Sequence, residues 1–553
     1  MTPESIADFS LLAAKKYLQS AVFIDDNIYN QATANPDAGD IEIRQPKSVM
    51  KVVEKGGAPS AEKAVILDSS EQSNRPFRTK DLVGSFAKHG IVCALYQPEK
   101  DFQADENSTI FNLCQTADLV ILDWDFNEVG VQGARPKVLI ENLIKSGNRV
   151  APHHVRLIAI YTNTPSLQSI ANSLFQHLEK IEIKPELINS PLRLQVQAGS
   201  TRVIILGKAG GVGRIESEKS FTVFEKDLAD LLLREFSTMN QGILSSCALL
   251  GMAAVRQSSA RILDKFHSDL DAQFLLHRAL IRDSEEAFDQ LPELLGDEFK
   301  AVIEDTEYRP YDLSRFVEMA CAGVKVKAHA SNWKQKDRPG EEVLREFLHK
   351  PNGLSEVLNG NKKAEPIVNK PNNLVGSLAD MCSVADTDAH CRFAALLAIR
   401  TQYQTKHRDL GFGSIVLNRK SDKYSVCIMP PCDSIRLTAD TYFPFWELGG
   451  SGKGHPIIVQ CGDDKWVELA FIPGKPSKYM RLVSFAPDRT RNIVMATIDT
   501  NQRYVFKSQD GEFEWVAQLK PSHAQRMANT IGQQLSRVGL TEAEWARMVF
   551  AKE

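Results

Sequence analysis

The chain has little net charge, no long apolar run and no cysteine framework, and each lack excludes something. Lysine and arginine total 66 against 70 aspartates and glutamates, a formal charge of −4. That balance gives no overall electrostatic pull toward nucleic acid or an anionic membrane, although a local basic patch stays open. The longest apolar stretch of note, Gly242 to Val255, falls short of the ~20 residues a membrane-crossing helix needs. The nine cysteines are scattered and odd in number, which does not fit a disulfide framework and points to a reducing compartment. Met1 to Ser10 carries Glu4 and Asp8 with no basic residue, so no signal peptide is expected. A cytoplasmic protein without membrane contact is the simple expectation. There is no internal repeat. Gly207 to Gly213 and Gly449 to Gly454 are glycine-rich, but neither is a Walker A or a dinucleotide fingerprint. They read as an exit loop and a hairpin loop.

What is present fits a globular protein of several domains: 553 residues, 43% hydrophobic and 25% charged. Short apolar runs alternate with helical patterns over the first two hundred residues. Helices are expected at Ile6–Leu18, Asp81–His89, Ser108–Thr116, Pro136–Lys145 (stopping at Gly147) and Ser166–Glu179. Strands are expected at Val22–Ile24, Ile91–Tyr96, Leu119–Leu122, Leu157–Ile160 and Val203–Leu206, with an extra one at Ala64–Leu67. This alternation argues a parallel α/β sheet with right-handed crossovers. Asn30 to Gly57 reads as a long loop. Beyond Gly213 the pattern turns helical through Phe224–Phe236, Gly242–Ile281 and shorter pieces to Gly323. Lys334–Gly340 and Asn359–Asn373 read as linkers. From Gly411 short strand-like runs dominate: Ser414–Leu417, Tyr424–Met429, Ile435–Leu437, Ile457–Cys461, Trp466–Phe471, Tyr479–Phe485, Asn492–Ile498 and Tyr504–Lys507. Helices at Ser522–Val538 and Thr541–Phe550 close the chain, the latter with a Thr541/Glu544 capping box.

Four of the amino-terminal runs end on polar residues of one kind of chemistry. Val22-Phe23-Ile24 runs into Asp25-Asp26, and Leu119 to Leu122 into Asp123, Trp124 and Asp125. Leu157 to Ile160 runs into Tyr161-Thr162, and Val203 to Leu206 into Gly207-Lys208. Open α/β sheets place their sites at the carboxyl ends of the strands. Three carboxylates, a hydroxyl and a lysine there would make one magnesium and phosphoryl site. Clustered carboxylates also repel, so at least one raised pKa and relief by a cation are expected.

With these residues in this order, residues 1–215 resemble the response-regulator receiver domain of two-component signalling, the CheY-like (flavodoxin-like) fold with five parallel strands. The resemblance implies that Asp123 accepts a phosphoryl group from a partner histidine kinase. It implies that Asp25, Asp26, Asp123 and the backbone carbonyl of Asp125 hold Mg2+, and that Lys208 and Thr162 contact the phosphoryl oxygens. The sequence departs from the family where Ala209 follows the lysine in place of proline, and where Ile205 stands at a position commonly aromatic. The span from Asp26 to Asp123 is long, with an insertion at about 27–80 placed to decorate or lid the site. The further organisation expected is a helical region at 216–345, a linker with a helical segment at 346–410, and a β-rich α+β domain at 411–553.

The large extension is similar in layout to the second receiver protein of Detocs-type anti-phage two-component systems. That likeness implies a phosphate sink acting beside a kinase and a receiver-containing effector. Two other classes stay open: a phosphorylation-gated switch whose C-terminal domain binds protein or, less favoured, nucleic acid, and an effector enzyme with an unrecognised C-terminal site. Residues 216–553 carry no helix-turn-helix, cyclase or hydrolase signature. Cys382, His390, Cys391, Cys427 and Cys432 fit no usual zinc spacing, and the cysteines read as buried structural residues. His267 and His277 read as surface or core residues, and Tyr442, Phe443, Phe445, Trp446 and Trp466 as core or interface of the β-rich domain.

Overall fold

A computed structural model describes residues 5–28, 78–99, 102–126, 132–150, 155–190, 193–211, 213–281, 286–306, 387–403, 407–450, 455–461 and 465–536. The loop expected at Asn30–Gly57, the strand at Ala64–Leu67, nearly all of the 27–80 insertion, both linkers, Cys382 and the helix at Thr541–Phe550 lie outside the described residues. The chain divides into two compact units, one of Met1–Val324 with Pro339–Ala364, the other of Lys325–Arg338 with Glu365–Glu553.

The first unit runs α1 (Ile6–Tyr17), β1 (Ser20–Ile24), α2 (Thr79–Ala87), β2 (Val92–Tyr96), α3 (Thr109–Thr116), β3 (Leu119–Leu122), α4 (Ala134–Val150), β4 (Arg156–Thr162) and α5 (Leu167–Lys180). It continues with β5 (Pro185–Ser190), β6 (Arg193–Ala198), β7 (Thr201–Lys208), β8 (Thr222–Val223), α6 (Leu228–Met239), α7 (Ile243–Asp264), α8 (Asp271–Leu280) and α9 (Glu286–Asp305). Serine hydroxyls start three helices: Ser5, Ser108 and Ser166 accept from the backbone N–H three residues on, satisfying an otherwise orphaned donor.

Strands β2-β1-β3-β4-β7 are parallel in that order. Period-two alternation sends their side chains to two cores. Val22, Ile24, Val120, Leu122, Ile158, Ile160, Val203 and Ile205 face α3, α4 and α5. Phe23, Leu119, Ile121, Leu157, Ala159, Tyr161, Ile204 and Leu206 face α1, α2 and α6. A strand covered on both sides is apolar through its middle, as Leu157–Ile160 are, and all seven residues of β4 are buried, Arg156 and Thr162 at its ends included.

Two expectations are corrected here. The sheet has eight strands, not five: β6 and β5 form an antiparallel hairpin that extends it beyond β7, and β8 pairs parallel with β7 at Gly207 and Lys208. Helix α4 does not stop at Gly147 but runs to Val150. An internal glycine costs a helix only about 1 kcal/mol, and Leu139, Ile140, Leu143 and Ile144 anchor it in the core. The helical pieces expected after Ser284 begin as one helix, α9, which carries Pro292 within it.

Helix α7 belongs to the same packing. Phe9 and Ala13 of α1 bury against Leu250, and the Ser10 and Ser246 hydroxyls meet at 2.9 Å. Arg256 donates to both carboxylate oxygens of Asp118 at 3.0 and 3.2 Å and to the carbonyl of Tyr17 at 2.8 Å. Asp118 in turn accepts from the amides of Gln19 and Ser20.

The second unit holds α10 (Thr387–Ala398), β9 (Ser414–Asn418), β10 (Lys423–Cys427), β11 (Thr441–Glu447), β12 (Gly449–Gly450), β13 (His455–Cys461), β14 (Lys465–Phe471), β15 (Met480–Phe485), β16 (Thr497–Ile498), β17 (Tyr504–Ser508), β18 (Gly511–Gln518) and α11 (Pro521–Leu535). Antiparallel pairing in the order β15-β11-β10-β9-β18-β17 closes on itself through Phe485 and Ser508. The closed sheet is filled by Phe443, Phe445, Phe485, Phe506 and Phe513, with the Phe445 and Phe513 rings stacked at 6.0 Å. Strands β12, β14 and β13 make a second small sheet. The strand expected at Ile435–Leu437 is absent, where Arg436 takes a positive φ of 58°, and Asn492–Ile498 pairs regularly only at Thr497–Ile498. Strands β11 and β18 were not expected, and of the hairpin loop expected at Gly449–Gly454 the first two residues pair with β14 while 451–454 lie outside the described residues. Phe443, Phe445 and Trp446 are core residues; Tyr442 is exposed, and Trp466 donates to Asp388 at 2.6 Å. Cys427 is buried, but Cys432 is exposed and Cys391 half-buried, contrary to expectation. His267, just before a short 3-10 helix, and His277, on α8, make polar contacts at exposed positions. Among the described residues no helix is long and apolar enough to cross a membrane.

Candidate phosphoryl-transfer site

Parallel pairing places the carboxyl ends of β1, β3, β4 and β7 along one edge of the sheet. Ile24 pairs with Leu122, Leu122 with Ile160, and Thr162 with Gly207. Asp25, Asp123, Thr162 and Lys208 therefore sit at or just past the ends of neighbouring strands. All four are buried. Lys208, on β7, crosses over β4 to reach the two strands beyond it. Its Nζ donates to Asp25 Oδ2 at 2.5 Å and also to Asp123 Oδ2. The remaining oxygens of this pair are held by backbone. Asp25 Oδ1 accepts from the Asn27 amide at 2.8 Å. Asp123 Oδ1 accepts from the amides of Trp124 at 2.6 Å and Asp125 at 3.3 Å. The rings of Phe23 and Tyr161 lie 5.9 Å from the ammonium, so an apolar wall backs the charged cluster.

The electrostatics follow. Burial raises the Asp25 carboxyl, with Lys208 opposing and Asp123 adding to the rise. Asp26 is pushed up to about 6 by burial first, then by repulsion from Asp25, Asp123 and Asp125. Burial works against the Lys208 charge, but Asp123 and Asp25 outweigh it and hold its pKa above the ordinary lysine value. The expectation of at least one raised carboxylate is met.

Of the sequence-selected residues, Asp25, Asp123 and Lys208 are in direct contact. Asp26 and Asp125 lie within electrostatic reach, with Asp125 Oδ2 accepting from Gln132 at 2.8 Å. The Thr162 hydroxyl bonds Thr164 Oγ1 at 3.1 Å. Two residues that sequence reasoning passed over brace this edge. Arg214 donates to the carbonyls of Lys208 and Thr162. Glu218, buried, accepts from the amides of Leu167 and Gln168 at 2.9 and 3.0 Å, where α5 begins. An anion at a helix amino terminus is favoured by the free N–H groups and the dipole.

The donor chemistry fits a hard divalent cation, which takes carboxylate and carbonyl oxygens. Lys208 Nζ lies between two carboxylates that would otherwise repel. As the side chains stand, with Lys208 between them, no group of three or more His, Cys, Asp or Glu among the described residues is arranged to hold a metal ion.

Residues 17–212 match the family model of the response receiver domain. They form a receiver domain. No curated protein and no solved structure matches the chain. Receiver domains as a class accept phosphate from a histidine kinase or another phosphotransfer partner, and the five parallel strands carry the receiver order. The β5–β6 hairpin lies inside the matched span as an addition to that sheet.

Proposed function

We propose that Asp123 is the phospho-acceptor of this receiver and that Lys208, Asp25 and Asp26 set its reactivity. The observation that carries the reading is the three-way contact of Asp25, Asp123 and Lys208 at the ends of β1, β3 and β7. An Asp123 oxygen attacks the phosphorus of a phosphohistidine, forming an acyl phosphate as the P–N bond breaks. The imidazole leaves and takes up a proton. Hydrolysis returns the carboxylate and inorganic phosphate. Asp25, Asp26, Asp123 and the Asp125 carbonyl would hold Mg2+, which when bound offsets the repulsion between the carboxylate and the phosphoryl oxygens. Lys208 is released from its carboxylates as phosphoryl oxygens arrive, and passes from neutralising Asp123 to neutralising the product. Thr162 turns its hydroxyl from Thr164 to the phosphoryl group. Reactions of this class are driven by positioning and charge neutralisation.

Within that reading we favour a phosphate sink beside a histidine kinase and a receiver-bearing effector in anti-phage defence, supported by layout: one receiver joined to a long region without an output signature. A gated switch is the second reading. It is favoured by β8, which pairs with Lys208 itself and leads through a 3-10 turn at Glu225–Asp227 into α6. The test is phosphotransfer from an autophosphorylated kinase with Mg2+, comparing wild type with Asp123→Asn. Label on wild type alone, abolished by prior EDTA, is expected. Rapid turnover supports the sink, a long-lived phosphoprotein supports the switch, and absence of label overturns the reading.

A further inference from the structure

Gly207 and Gly211 lie on either side of Lys208, and one guanidinium occupies the space beside both. A Cβ on Gly207 would stand 2.4 Å from Cζ of Arg214, and one on Gly211 would stand 2.4 Å from its Nη2. From that seat Nη1 donates to the carbonyl of Lys208 at 2.6 Å, and Nη2 to the carbonyl of Thr162 at 2.7 Å. Nη1 also lies 3.4 Å from Thr222 Oγ1 on β8. The two carbonyls belong to different strands, and to the residues whose hydroxyl and ammonium face the phosphoryl group in the proposed reaction. The turn that carries Thr162 is held again further along. A Cβ on Gly213 would rest 3.7 Å from Pro165, and Glu218 accepts from the amides of Leu167 and Gln168.

We infer that Arg214 is a positioning residue for phosphoryl transfer, clamping the ends of β4 and β7 so that Thr162 and Lys208 reach the same group. The inference rests on the reading of Asp123 as acceptor. A planar fork suits this task. Two nitrogens at a fixed separation can grip two carbonyls at once, which a lysine ammonium on a flexible stem does not reproduce. The glycines are the complement of the fork. The hydrogen bonds of Arg214 go to residues of β4, β7 and β8 rather than to β1 and β3, the strands that bring Asp25 and Asp123, so loss of the clamp separates transfer from cation binding.

The experiment uses the full chain with acetyl phosphate and Mg2+ as probes. Rates of phosphoprotein formation are compared for wild type, Arg214→Ala, Arg214→Lys, Gly207→Ala and Asp123→Asn. Mg2+ affinity is titrated without phosphodonor, and backbone hydrogen exchange over residues 162–168 is followed without metal. Arg214→Ala is expected to slow transfer by about 10- to 100-fold, the scale of a small misplacement of reacting groups. Mg2+ affinity stays within about twofold of wild type, and exchange over 162–168 rises. Arg214→Lys does not restore the rate, whereas added guanidinium ion partly rescues Arg214→Ala. Wild-type rates in a folded Arg214→Ala overturn the inference, as does a parallel fall in rate and metal affinity, which marks general structural damage. If Arg214→Ala does not fold, Gly207→Ala carries the test by displacing the guanidinium; a wild-type rate there overturns the inference. No phosphorylation of wild type above Asp123→Asn removes the acceptor reading itself, and this proposal with it.

Discussion

Replacing Lys208 by methionine removes the cation that, among the described residues, contacts both Asp25 and Asp123, and leaves the hydrocarbon volume nearly unchanged. Lys208 is 4% exposed, Asp25 3% and Asp123 6%, so water cannot take over the lost role. Breaking a buried ion pair by deleting one partner costs about 3–5 kcal/mol. Each kcal/mol shifts the midpoint of a folding unit of about 150–250 residues by about 2–4 °C, and of a larger one by less, so the expected fall is at most roughly 6–20 °C at pH 8 without metal. The sign of the pH dependence is fixed by burial, which already raises Asp25 in the presence of the lysine. Without it, the folded state holds protons that the unfolded chain releases near pH 4. Stability of the variant therefore falls as pH rises above about 4, and acidification from pH 8 to 5 narrows the gap to wild type. Mg2+ at 100 times its dissociation constant returns about 2.7 kcal/mol. Scanning calorimetry on both proteins at pH 5 and 8, with and without Mg2+, reads all of this. A variant melting within 2 °C of wild type at pH 8, or one that gains nothing on acidification, refutes the assignment of Lys208 as the neutralising cation.

Three further outcomes follow from the same geometry. Asp26 ionises near 4 unfolded but at about 6 folded, so the metal-free wild type loses stability as pH rises through that window. Asp26→Asn flattens the slope, by roughly 1 kcal/mol or less because this side chain is partly solvated, and weakens Mg2+ binding; equal pH slopes in thermal melts would contradict it. Glu218→Gln leaves one of the two α5 amides with a neutral carbonyl acceptor and the other facing an NH2 donor, and costs about 1–3 kcal/mol, with faster amide exchange at Leu167 or Gln168. Asp118→Ala strips the partner from Arg256 and from the amides of Gln19 and Ser20. A loss of about 3 kcal/mol is expected, with transfer chemistry unchanged because Asp118 precedes β3 at the opposite end of the sheet.

The residues at the strand ends were legible because the middle of a strand covered on both faces is apolar, so the polar residue that closes or follows the run stands out. Asp123 after Leu119–Leu122 and Lys208 after Val203–Leu206 are of this kind. The β5–β6 hairpin was harder to see, since Glu186, Asn189, Arg193 and Gln197 give it the composition of a loop, although Leu194, Val196 and Ala198 alternate toward the core. In the C-terminal unit, β18 hid in the same way: only Phe513 and Ala517 of Gly511–Gln518 are buried. Arg214 was invisible for another reason. Its partners are main-chain carbonyls 6 and 52 residues away, and a carbonyl has no letter in the sequence. Glycine on both sides of Lys208 was the available signal, read as a flexible exit when it is space left for a side chain.

The seat of α7 against α1 also governs how the chain is made. Ser10 and Ser246 are 236 positions apart, and at 5–20 residues per second the ribosome takes roughly 10–50 s to supply the second after the first. Throughout that interval the face of α1 that bears Phe9 and Ala13 has no cover. The family match ends at residue 212, but a polypeptide stopped there keeps that face bare for its lifetime. The unit of biosynthesis and of expression therefore extends at least through Asp264, some fifty residues beyond the unit of homology.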